Sequence, residues 1–147
     1  MAVLTYSQVQ QIVAANNRTR GAGARSTGIN DRLFVCLIWK ESGFDPMARN
    51  GLSSATGLMQ LTTGAVDEVN RVRGTSYTHA SMTTAILNVQ AGTTYVDILM
   101  ARNGNSLATA LNRFGTGPGY SDRIIECSLC LGRDASNPTA CLSLIRR

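Results

Sequence analysis

A chain of 147 residues fits one domain, because two ordinary cores need roughly twice that length. Hydrophobic residues make up 44% and charged residues 16%, which permits a packed core and excludes a charged disordered tail or a coiled coil. The net charge of +5 is almost all arginine, Lys40 being the only lysine, and no apolar run reaches the ~18–20 residues of a membrane span, so no membrane insertion is expected.

Taken in chain order, the elements read as mostly helical. Thr5-x-x-Gln8 has the form of a capping box, and Val9, Ile12 and Val13 follow at helical spacing, which predicts a helix to about 18–20. A glycine-rich loop over 21–28 comes next. Asn30 or Asp31 caps the second helix and Gly43 ends it. Between them, Leu33-Phe-Val-Cys-Leu-Ile-Trp39 is apolar on every face, the mark of a helix buried nearly all round. Its β-prone residues make strand the competing assignment; the caps and the length favour helix. Residues 44–60, rich in Gly, Ser and Asn, predict a long loop or a short irregular hairpin. Thr62 or Thr63 caps a helix running through Val72, and 74–81 is a loop. A helix from 83 to about 101 places Ile86, Val89, Tyr95, Ile98 and Leu99 mostly on one stripe. A short helix over 106–114 is closed by Gly115-Thr-Gly-Pro-Gly119, and a last helix covers 120–131.

Cys36, Cys127, Cys130 and Cys141 form an even set, which permits two disulfides in three connectivities. Cys127-x-x-Cys130 has zinc-ligand spacing, but no second pair follows and the only histidine, His79, is far off in sequence. Free buried thiols are the other alternative. Three of the four lie beyond residue 126, as if stapling the tail over 121–147. Disulfides would imply an oxidising compartment. Yet Met-Ala-Val-Leu-Thr-Tyr-Ser has neither a basic start nor an apolar stretch, so no signal peptide is visible. The arginines are scattered from Arg18 to Arg147. Such a surface suits an anionic partner, whether cell wall, acidic protein or nucleic acid, and the scatter speaks against nucleic acid.

One charged residue stands in an unexpected place. Glu41 ends the most apolar helix, just before a glycine-bearing loop. A carboxyl group against Trp and Ile side chains loses hydration, which raises its pKa, and an acid protonated near neutral pH can act as a general acid. The competing reading pairs Glu41 with Lys40 or an arginine, or lets it reach solvent.

Glu41-Ser-Gly-Phe-Asp-Pro-Met-Ala48 is followed by Ser53-Ser-Ala-Thr-Gly-Leu-Met-Gln-Leu61, by Asn88-Val-Gln-Ala-Gly-Thr-Thr-Tyr95 and by Arg113-Phe-Gly-Thr-Gly-Pro-Gly119. In this order the blocks resemble the soluble lytic transglycosylase (SLT) domain of the lysozyme-like superfamily. The resemblance implies a mainly α, single, compact helical domain over 1–147 with a glycan groove and a motif core at about 31–120. It implies cleavage of the β-1,4 bond between N-acetylmuramic acid and N-acetylglucosamine, with Glu41 as general acid and then base, and no cofactor or metal. Ser42 matches the serine that orients the acid. Met59 and Gln60 match groove-lining residues, and Tyr95 and Phe114 are further substrate-side candidates. Scaffold roles compete: Phe44, Pro46 and Ala48 suit loop shaping, Gly57 backbone geometry, Leu58 and Leu61 the core, and Asn88 and Tyr95 helix packing.

Two departures bear on mechanism. Phe114-Gly115 stands where the family has Tyr-Asn, which removes a phenol from the reach of the acid, and Thr62-Thr63 stands where a proline is usual. Hydrolysis by water then competes with the lytic reaction, and an ordinary hydrolase needs a second carboxylate. Asp45, Asp97, Asp122 and Glu126 are the candidates, with Asp122 first because it follows the glycine-rich turn. The expected function is a peptidoglycan glycoside hydrolase, a muramidase or N-acetylglucosaminidase. Its expected setting is the bacterial periplasm, as a monomeric antibacterial effector toxin of a type VI secretion system. Its partners are glycan strands and a cognate immunity protein with an acidic face, with no nucleic acid. The alternatives are a lytic transglycosylase giving anhydromuropeptides, a phage endolysin, and a non-catalytic glycan-binding module.

Overall fold

The computed structural model describes residues 3–20, 30–117, 119–134 and 136–145. Among these the chain forms α1 (Tyr6–Thr19), α2 (Asp31–Ser42), α3 (Thr63–Arg73), a 3-10 turn (His79–Thr83), α4 (Ala85–Arg102), α5 (Leu107–Phe114), α6 (Tyr120–Arg133) and α7 (Pro138–Leu142). The mainly helical expectation holds. The loop expected over 21–28 lies outside the described residues.

Local chemistry starts and stops these helices. Thr5 and Gln8 form the reciprocal capping box at the head of α1, with bonds of 3.1 and 2.9 Å. Asn30 accepts from the Leu33 N–H at 3.0 Å to open α2, and Gly43, in the left-handed region at φ 61°, closes it. Thr62 caps α3 and Gly74 ends it in the same left-handed conformation. Two details differ from the sequence pattern. A 3-10 turn capped by Thr78 occupies 79–83, so α4 begins at Ala85. The cysteine-held tail also contains a further short helix, α7, capped by Asn137 with Pro138 in its first turn.

α2 is the centre of the fold. Leu33 through Ile38 are each at most 1% exposed, so every face of the helix is covered. Full burial of each large aliphatic or aromatic side chain there contributes about 1.5–3 kcal/mol. α1 and α6 pack directly on α2, while α4 packs against α1, α3 and α5. The Arg20 guanidinium lies 5.0 Å from the centre of the Phe34 ring and pairs with Asp97, tying the end of α1 to α4 across the central helix. Burial outweighs the attraction of Arg20 and leaves the Asp97 carboxyl above its ordinary pKa. The segment between α2 and α3 makes two isolated antiparallel bridges, Arg49 to Thr56 and Thr56 to Leu61, an irregular hairpin with no continuous ladder. No helix among the described residues is long and apolar enough to cross a membrane.

All four cysteines are paired, Cys36 with Cys127 and Cys130 with Cys141. This removes the zinc and free-thiol alternatives, since no thiolate is left to ligate a metal. The first bridge joins α2 to α6 across 91 residues of sequence; the second holds α7 against α6 across 11. Cross-linking distant residues restricts the unfolded chain more than linking near ones. The double variant Cys36→Ala/Cys127→Ala should therefore lose about 4–5 kcal/mol, and Cys130→Ala/Cys141→Ala about 3 kcal/mol. Urea unfolding of the oxidised proteins measures both, and a larger loss from the second pair would contradict this ranking.

Candidate active site

Glu41 occupies the last turn of α2, and the chain reverses immediately after it. Gly43 at φ 61° is followed by Phe44 at φ 70°, an uncommon value for a bulky side chain. Two contacts hold Phe44 there. Its ring meets Trp39 at 5.0 Å, and its carbonyl accepts from the Leu4 N–H at 2.9 Å. The reversal leaves Glu41 half-buried. Its position at the carbonyl end of a helix is also unfavourable for an anion.

The partner of Glu41 comes from the far side of the chain. Tyr120, the first residue of α6, is 3% exposed, and its hydroxyl donates a short hydrogen bond to Glu41 Oε2. Burial pushes the Glu41 carboxyl above its ordinary pKa; the Tyr120 bond and the charge of Lys40 pull it down without cancelling that rise. Burial, together with the neighbouring Glu41 charge, pushes the Tyr120 hydroxyl well above its ordinary range, so the phenol stays neutral and keeps its proton to donate. The phenol expected to be missing at Phe114-Gly115 is therefore supplied by Tyr120. The available signal was its position directly after the glycine-rich turn, at the start of a helix.

Of the other predicted residues, Ser42, Met59 and Gln60 serve the scaffold. Ser42 is buried, and its hydroxyl donates to the Ile38 carbonyl at 3.0 Å, closing the helix end instead of orienting the carboxyl. Met59 is fully buried and cannot line a groove; it packs so tightly on Gly92 that a Cβ there would overlap its sulfur. Gln60, at φ 52°, donates through Nε2 to the carbonyls of Ala48 at 2.9 Å and Gly57 at 3.0 Å, which spends its amide protons on the hairpin. Tyr95 and Phe114 are half-buried and face each other, ring centres 5.8 Å apart.

Among the described residues, none of the four candidate second carboxylates hydrogen-bonds to Glu41 or is among the groups that shift its carboxyl. Asp45 accepts from the Met47 N–H at 2.9 Å, Asp97 is engaged by Arg20, and Asp122 and Glu126 are exposed on α6. Asp122 sits in the first turn of that helix, where a negative charge suits the dipole. Among the described residues, the groups acting on Glu41 are Tyr120 and Lys40.

Asn88 holds the loop between α2 and α3. It is fully buried, donates to the carbonyls of Thr56 at 3.0 Å and Met82 at 2.9 Å, and accepts from the Met59 N–H at 2.9 Å. Gly57, at φ 82°, lets this happen, because a Cβ there would overlap the Met82 carbonyl and the Asn88 amide.

Residues 19–127 match the family model described as the transglycosylase SLT domain. Among solved structures, the chain is similar to an inactive mutant of the lytic transglycosylase Slt from Pseudomonas aeruginosa. That match has 22% identity and a TM-score of 0.60, and covers 78% of this chain and 17% of the other. It is also similar to the 70 kDa soluble lytic transglycosylase of Escherichia coli, with 15% identity and a TM-score of 0.61, over 91% of this chain and 22% of the other. The chain thus spans about a fifth of the length of these structures, and the likeness establishes the helical lysozyme-like fold.

Two outcomes test the site. Asn88→Ala strands a buried N–H and two carbonyls, a loss of roughly 2–4 kcal/mol measurable by urea unfolding. A loss below about 1 kcal/mol would remove Asn88 from this role. Glu41 has a folded pKa above its unfolded one, so it burdens the fold increasingly as pH rises through that window and not at all below it. Glu41→Gln should therefore melt higher than the wild type at pH 7, with the gain vanishing below the ordinary glutamate range of ~4.3. A pH-independent difference in Tm would contradict the raised pKa.

Proposed function

The chain belongs to the family of transglycosylase SLT domains, and from that premise we propose that it cleaves the β-1,4 bond between N-acetylmuramic acid and N-acetylglucosamine of peptidoglycan by intramolecular transfer. The observation that carries this reading is a half-buried carboxyl held by a buried phenol, with no second carboxylate among the described groups acting on it. An inverting or ordinary retaining hydrolase uses two carboxylates flanking the bond; a transfer that proceeds through the sugar's own hydroxyl needs one.

The steps follow from the chemistry of that pair. Burial keeps Glu41 protonated to higher pH than an exposed glutamate, ready to give its proton to the glycosidic oxygen as the C1–O bond breaks. The glucosaminyl 4-hydroxyl leaves, and positive charge develops on the muramyl C1. The Glu41 carboxylate then takes the proton from the muramyl 6-hydroxyl, and O6 closes on C1 to give a 1,6-anhydro ring. Glu41 ends the cycle protonated as it began. Tyr120 donates to Oε2 throughout, which fixes the carboxyl plane and leaves Oε1 to exchange the proton.

The site of action follows from the substrate and the cysteines. Two disulfides persist in an oxidising space such as the periplasm or outside the cell, and a +5 surface suits an anionic wall. Delivery into a rival's periplasm as a toxin, with an acidic immunity protein over the groove, rests on that same charge and those same bridges. It predicts that fusion to a periplasmic signal makes expression lytic for wild type and harmless for Glu41→Gln.

The decisive experiment is mass spectrometry of fragments released from purified peptidoglycan. Anhydro-muramyl ends are the expected product. Reducing muramyl ends would mean hydrolysis as a muramidase, reducing glucosaminyl ends an N-acetylglucosaminidase, and binding without release a glycan-binding module. Glu41→Gln should lower release by on the order of 10²–10⁴-fold, and equal release would remove Glu41 from the reaction.

A further inference from the structure

Gly115 lies at the end of α5, where the chain turns toward α6. Its φ of −108° is open to any residue, so backbone conformation does not call for glycine. Space does. A Cβ at this position would fall closer than 3.0 Å to Cζ, Cε2 and Cε1 of Tyr120, the hydroxyl-bearing end of the ring. Gly117 and Gly119 in the same turn are different: both have positive φ, and a Cβ at either meets nothing closer than 3.8 Å. The steric demand is therefore confined to Gly115.

The Tyr120 ring has no easy retreat. It is 3% exposed, and its hydroxyl is committed to Glu41. The backbone beside it is held as well, because the Ser121 N–H donates to Asn112 Oδ1 at 3.1 Å and so sets the first turn of α6 on α5. We propose that Gly115 is a positioning residue for the reaction, its missing side chain forming the seat on which the Tyr120 phenol lies to reach the Glu41 carboxyl. This rests on the reading of Glu41 and Tyr120 as the acid and its donor. It also gives the Phe114-Gly115 departure a purpose: the glycine that replaces the family's asparagine makes room for a phenol arriving from α6.

The test follows the Glu41 carboxyl directly, by carbon-13 NMR titration of wild type, Gly115→Ala and Tyr120→Phe. Tyr120 is the largest of the influences holding that carboxyl down, and Lys40 is the other. Both variants should therefore titrate above wild type, and the basic limb of the pH–activity profile should move to higher pH with them. In Gly115→Ala, kcat should fall on the order of 10²-fold with KM little changed, the pattern of a misplaced reacting group. A Glu41 titration in Gly115→Ala that is unchanged or lowered overturns the proposal. A stability cycle guards against a variant that fails to fold. Alanine at 115 should depress Tm in the wild-type background and not in Tyr120→Ala, where no ring is left to strike. Equal depression in both backgrounds also overturns it. If the titrations behave as expected while wild type releases no glycan fragments, the seat stands and the peptidoglycan-cleaving reading fails.

Discussion

The burial of α2 on every face is the constraint from which the rest of the structure follows. A helix with Leu33 through Ile38 all out of solvent needs neighbours on all sides, and α1 and α6 supply two of them. The same helix carries Glu41 on its last turn, so the packing that buries it also strips water from one carboxyl. The stability of the core and the desolvation of Glu41 share one origin here. A shorter or more amphipathic α2 would leave Glu41 hydrated and ordinary.

α6 is tied to α2 at two levels. Cys127 bonds Cys36 within the core, and Tyr120, two turns earlier on α6, bonds Glu41 beyond it on α2. The covalent bridge and the hydrogen bond thus run between the same two antiparallel helices. The disulfide limits how far the helices can slide past each other, and that sliding is what would separate phenol from carboxyl. The tail, through Cys130 and Cys141, extends the restraint to α7.

Most of the motif residues build the frame of the fold. Asn88, Gly57, Met59 and Gly92 interlock the hairpin with α4, and Gln60 stitches the hairpin to itself. Phe44 and Gln60, both non-glycine residues with positive φ, show that the segment after α2 carries backbone strain, held by the Trp39 contact in one case and by two amide bonds in the other. Ser42 belongs with this frame, since its hydroxyl is spent on the helix backbone. A family pattern so dense in structural residues can be matched by spacing alone, while the proposed chemistry rests on one pair of side chains.

The division between what was legible in the sequence and what was not follows the range of the interactions. Helix starts and stops were legible because caps act within three or four residues: Thr5 with Gln8, Asn30 with Leu33, Gly43 and Gly74 at their left-handed turns. Glu41 was legible because its desolvation is written into the apolar run before it. The 3-10 turn at His79–Thr83 and the short α7 were not, since both are a few residues long and depend on what they pack against. Cysteine pairing, the burial of Met59, the engagement of Asp97 by Arg20 and the arrival of Tyr120 at Glu41 were likewise decided only in three dimensions. Tyr120 and Glu41 are 79 residues apart, and nothing local to either announces the other. Local sequence therefore determined the helices and the desolvated glutamate; the packing of α6 on α2 decided its hydrogen-bond donor, because a hydrogen bond between distant residues exists only once the core has brought them together.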